Sequence, residues 1–130
     1  MKLVIALVTF ASLSAFAGQT KMTTSTQKNT STQIFDEIDQ GVSGAVALAI
    51  GKRLRRLGEC GQVIAITHSA QVASKAHHHF VVQKEQGQNT TNTSVLVLDE
   101  SNRINEIARM LSGQEVNEIA CKAAIELMKG

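Results

Sequence analysis

Tryptophan, tyrosine and proline are absent from this 130-residue chain, and only four phenylalanines occur, two of them within residues 1–17. Without a series of aromatic faces there is no platform on which bases could stack, which argues against direct binding of single-stranded nucleic acid. Charge points the same way. Thirteen Lys and Arg against eleven Asp and Glu leave a net charge of +2, too small to make a basic field. Cys60 and Cys121 lie far apart and in no CxxC spacing, so they read as small apolar side chains of a reduced protein. No apolar run approaches the roughly 18 residues of a membrane-crossing helix. What remains is an ordinary globular apolar share of 43%, in a length that builds one modest domain or part of a larger one.

Residues 1–33 form the first unit and residues 34–130 the second. Residues 1–17 combine Lys2, an apolar run over 3–13, and Ala15-Phe16-Ala17 before Gly18. That is the three-part pattern of a secretory signal peptide. The rival reading is a buried helix packed on a sheet, which has the same composition. Residues 18–33 are rich in Thr, Ser, Gln, Lys and Asn and read as a polar linker.

From residue 32 the pattern is orderly. Residues 32–35 make a short strand ending at Asp36. Ser43 opens a helix expected to end at Leu57, with Val46, Ile50, Leu54 and Leu57 on one face and Gly58 as a left-handed stop. Lys52, Arg53, Arg55 and Arg56 then fall in its last turns, where cations offset the carbonyl end of the dipole. Val63-Ile64-Ala65-Ile66-Thr67 is a continuous run suited to a strand of a parallel sheet, which completes a βαβ unit and an α/β fold. A short helix over 69–76 follows, then two strands over 80–82 and 94–98 joined as a hairpin. Two helices close the chain, and the break between them is marked either by a capping-box spacing at Ser112 and Glu115 or by Gly113 as the stop of the first.

The chemistry gathers at strand ends, where open α/β sheets hold their ligands. Asp36 and Glu37 are adjacent, so their side chains start toward opposite faces and are free to divide the work. One acid can hold a Mg²⁺ ion through water while the next orients and deprotonates an attacking water. A neighbouring parallel strand would bring His68, just beyond Thr67, to the same edge, where an imidazole can contact a terminal phosphate oxygen. The run His77-His78-His79 tempts a metal reading, but consecutive strand residues point alternately and no acid or cysteine stands at ligand spacing.

With these residues in place, the chain resembles the C-terminal part of the RecN family of bacterial DNA-repair ATPases, within the SMC-like ABC group. Residues 34–44, Ile-Phe-Asp-Glu-Ile-Asp-Gln-Gly-Val-Ser-Gly, are similar to that family's Walker B and D-loop. Residues 63–73, Val-Ile-Ala-Ile-Thr-His-Ser-Ala-Gln-Val-Ala, are similar to its switch-histidine segment, and residues 78–84 and 105–113 to the strand and helix that follow. The resemblance implies the C-terminal half of an ABC-type P-loop ATPase head: a mostly parallel sheet, flanking helices and a C-terminal helical pair.

By resemblance, ATP and Mg²⁺ are the cofactors. Asp36 holds the Mg²⁺ water shell, Glu37 is the general base, His68 contacts the γ-phosphate, and Asp39 lies in the loop crossing to a partner head. The implied partners are a second ATPase head or the missing N-terminal half, with DNA engaged only indirectly. The departures matter equally. No GxxxxGK[ST] cradle for phosphates, SGGE-type signature or long heptad run occurs in these 130 residues, and Ser69-Ala70 stand where the family usually shows Leu-Pro. The chain alone is therefore expected to be inactive. An ATP-binding head has no use for export, which favours a cytoplasmic location over the signal-peptide reading. The alternatives are a head fragment of another SMC-like ATPase and a small exported, non-enzymatic binding protein.

Overall fold

The computed structural model describes residues 5–10, 31–86, 91–113 and 115–130. Five strands, β1 (Ile5–Phe10), β2 (Thr32–Asp36), β3 (Gln62–Thr67), β4 (His78–Gln86) and β5 (Thr91–Val97), form one sheet in the order β2-β3-β1-β4-β5. Four helices accompany them: α1 (Gly44–Cys60), α2 (Ala70–Ala73), α3 (Glu100–Ser112) and α4 (Glu118–Lys129). The α/β class and the C-terminal helical pair are as expected, while α2 is shorter than the helix expected over 69–76.

The sheet is less parallel than the sequence suggests. Among the described residues only β2 and β3 pair in parallel, with Thr32 opposite Gln62 and Asp36 opposite Ile66. The β1–β3, β1–β4 and β4–β5 pairings are all antiparallel. Parallel neighbours need a crossover of a dozen residues or more, and α1 supplies one between β2 and β3. Strands β3 and β4 do run in the same direction, but β1 lies between them and runs the other way. The hairpin connection between β4 and β5 is too short for anything but antiparallel pairing.

Strand β1 also corrects the reading of the N-terminal apolar run as a helix. Residues 5–10 bond to neighbours on both sides, Ala6 opposite Thr67 and Leu7 opposite Phe80. A central strand needs apolar residues on both faces, so its composition matches that of a buried helix, and β-branched Ile5, Val8 and Thr9 tip the balance to strand. The small residues at 15–17 and the linker at 18–30 lie outside the described residues.

Helix α1 runs three residues past Leu57. Gly58 is buried inside it, and the chain leaves at Gly61 in an extended conformation. Burial of the small residue against its surroundings overrides its tendency to stop a helix. The basic cluster therefore sits in mid-helix rather than at the carbonyl end, and Arg55 Nη1 instead donates to the Lys75 carbonyl at 2.9 Å. Gly51 lets α1 approach α2 closely, since a Cβ there would lie 3.0 Å from the Gln71 carbonyl oxygen. The expected capping box is also displaced: α4 is capped by Asn117, whose Oδ1 accepts from the Ala120 amide at 2.8 Å, while the single Ser112 hydroxyl hydrogen lies between the Ala108 and Glu115 carbonyls. Gly113, with φ of 87°, ends α3.

Two apolar clusters hold the layers together. Ala47, Leu54, Val63, Ala65 and Val72 pack α1 and α2 on the sheet. Ile107, Ala108, Ala120, Ala124 and Ala70 join the helical pair to α2. Met110 touches both clusters, so the C-terminal helices and the β2–α1–β3 unit share one packed interior.

Candidate functional site

The single parallel pair carries the site. Because Asp36 is level with Ile66, the residues beyond each strand emerge at one edge of the sheet. The ladder continues one step further, with the Glu37 amide donating to the Ile66 carbonyl at 2.9 Å. Asp36, Glu37 and His68 are all exposed there, at the C-terminal edge of β2 and β3. Glu37 stands in the left-handed backbone region with φ of 48°, where a side chain other than glycine's is strained. The turn that follows is closed by Gln40 N–H to Glu37 O at 3.0 Å and Val42 N–H to Asp39 O at 3.2 Å.

Asp39 does not join the exposed group. The turn carries it inward to 2% exposure, where its Oδ2 accepts from the Thr67 hydroxyl at 2.5 Å. Thr67 Oγ1 accepts in turn from the Ser69 amide at 2.9 Å. The sequence reading passed over Thr67, although one signal was there to find: a hydroxyl closing an otherwise apolar strand. The histidine run behaves as strand alternation requires, with His78 exposed and His79 fully buried. Among the described residues no group of three metal-binding side chains comes together.

Comparison with known proteins decides what this edge belongs to. The chain is 43% identical over 102 residues to the DNA repair protein RecN of Deinococcus radiodurans, covering 78% of this chain and 18% of that protein. It is 43% identical over 105 residues to RecN of Vibrio cholerae, covering 81% and 19%. It is 46% identical over 95 residues to RecN of Rickettsia bellii, covering 73% and 17%. The chain carries a segment of the RecN family. No family model matches it. It spans just under a fifth of the length of the curated relatives it matches.

Within the RecN segment, the strain at Glu37 gives a test of whether this backbone is shaped for something other than stability. Strained residues persist where the surroundings over-determine them, and such positions cluster at active sites. The Glu37 side chain is exposed, and its Oε2 accepts from the Gln40 side-chain amide at 3.4 Å. Glu37→Gly is therefore expected to raise the unfolding free energy by about 0.5–1 kcal/mol, measured by urea titration. A loss of stability would show that the glutamate is held there by contacts worth more than the strain.

Proposed function

We propose that this chain is the hydrolytic edge of a RecN-type ATPase head serving the repair of broken DNA, and that it works with a separate portion carrying the nucleotide-binding loop. The placement of Asp36, Glu37 and His68 at the edge of the one parallel pair carries the reading. ATP and Mg²⁺ are the ligands it implies, and the donor set fits them in part. An exposed carboxylate at a strand end suits Mg²⁺, which keeps most of its waters and takes one or two carboxylates beside substrate phosphates. Nothing in these residues cradles phosphates, so the fit is to the reacting end of the nucleotide alone. Bound Mg²⁺ would supply charge neutralisation at the phosphates.

In this reading Asp36 would hold Mg²⁺ through water, Glu37 would orient the attacking water and accept its proton, and His68 would donate toward the terminal phosphate. Asp39 turns inward and supports the loop, leaving exposed Gln40, Gly41 and Val42 to face a second head.

The partner portion has an obvious seat. Strand β2 is at the end of the sheet and presents Ile34 at 67% exposure. Beside it Phe35, Ile38, Val46, Ile50, Leu54 and Leu57 line an apolar groove of about 370 Å³. An edge strand that no other described strand pairs, next to apolar surface, favours addition of a further strand and invites aggregation without one. Contact with DNA falls to other parts of the assembly, since this chain has neither stacking aromatics nor a basic field. The location that supplies ATP is the cytoplasm, and no helix among the described residues is long and apolar enough to cross a membrane.

The purified 130-residue chain is expected to show no measurable ATP hydrolysis in the presence of Mg²⁺. Robust turnover by the chain alone, abolished by Glu37→Gln, would contradict this division of labour.

A further inference from the structure

Thr67 is the exception in its strand. The four residues before it, Val63 to Ile66, are apolar, yet Thr67 carries a hydroxyl into the interior. A buried hydroxyl is costly unless it is bonded, and this one is bonded twice, to Asp39 and by the Ser69 amide. A backbone N–H only donates, so the Ser69 amide takes a lone pair of the hydroxyl and leaves the hydroxyl hydrogen for Asp39 Oδ2. Valine has the same shape and can do neither.

The two partners sit at informative positions. Asp39 is two residues beyond Glu37, in the turn closed on the Glu37 carbonyl, and Ser69 is the residue after His68. Glu37 is itself tied to the strand by its amide on Ile66. One hydroxyl thus joins the loop bearing the acid to the loop bearing the histidine. We propose that Thr67 is a positioning residue, whose hydroxyl bonds to Asp39 and Ser69 hold the loop of His68 in place against the loop of Glu37. Its bearing on hydrolysis rests on the function proposed above, but the positioning itself is a property of this chain and is measured without nucleotide.

The test compares the whole chain with its Thr67→Val, Thr67→Ser and Asp39→Ala variants by amide hydrogen exchange and ¹⁵N relaxation. Thr67→Val is expected to speed exchange of the Ser69 amide about tenfold or more, because its acceptor is gone. The His68 amide order parameter is expected to fall from about 0.85 to below about 0.6. Asp39→Ala should move His68 in the same direction, and Thr67→Ser, which restores both bonds, should return both readouts to the parent values. Exchange at Leu54, in the α1 core, reports whether the fold is intact in each variant. Unchanged Ser69 protection and His68 order in a folded Thr67→Val variant would overturn the proposal, as would a Thr67→Ser variant that behaves like valine. Failure of a reconstituted head to hydrolyse ATP would count against the hydrolytic reading and leave these amide results standing.

Discussion

Lowering the pH from 7 to 4 is expected to remove about 3 kcal/mol of unfolding free energy through His79 alone. This side chain is fully buried in β4, and neither ring nitrogen has a hydrogen-bond partner among the described residues. Burial first, and the nearby Arg103 guanidinium second, push its pKa down from 6.5 to about 4, with Glu106 opposing weakly. The unfolded chain takes up the proton near pH 6.5 while the folded protein resists it. The stabilisation from a neutral His79 is therefore complete above about pH 6.5 and is lost as the pH falls toward 4. Urea unfolding at several pH values, for the parent and His79→Leu, isolates this contribution because leucine binds no proton. Equal pH slopes in the two proteins would show that His79 accepts its proton within the fold at no unusual cost.

Arg103→Met is expected to cost about 3–5 kcal/mol, the largest loss from any single substitution considered. Arg103 is only 9% exposed, and its Nη2 donates to the carbonyls of Ala73, Ser74 and Ala76 at 3.4, 3.0 and 2.6 Å. Helix α2 has only four residues, so the carbonyls around its end have few amides to bond. Methionine keeps the apolar stem but leaves those oxygens facing the interior. The same substitution should raise the His79 pKa, because one of the two influences depressing it is gone. The acid-induced loss of stability should therefore shrink in the variant. A cost below about 1 kcal/mol would mean that water replaces the guanidinium in satisfying these carbonyls.

The contrast between the two ends of the sheet explains what could be read without coordinates. The β2–α1–β3 unit was legible because a strand, a helix of matching apolar period and a second apolar strand leave one economical arrangement, and that arrangement alone brings Asp36, Glu37 and His68 to one edge. Residues 5–10 were misread because an unbroken apolar run is what both a central strand and a buried helix require. For Asp39 the resemblance implies only a place in the loop crossing to a partner head. Its inward turn follows from the left-handed Glu37 and from a buried hydroxyl that needs an acceptor, neither of which has a local signature. His79 and Arg103 were hidden for a related reason. Polar residues pass for surface residues until the packing shows a histidine with no partner among the described residues and an arginine that closes the end of α2. The basic stretch of α1 was assigned to the helix end because Gly58 so often stops a helix, and here burial carries the helix through it.

The measurement that bears most directly on the central claim is ATP turnover in a reconstituted head. The 130-residue chain would be mixed with a Vibrio cholerae RecN from which the matching segment has been deleted, and the phosphate released in the presence of Mg²⁺ would be followed over time. The account predicts that neither part turns over alone, that the mixture does, and that Glu37→Gln in this chain lowers the rate of the mixture by about a hundredfold or more. A mixture that forms a stable complex and hydrolyses ATP at the same rate with Glu37→Gln would contradict it.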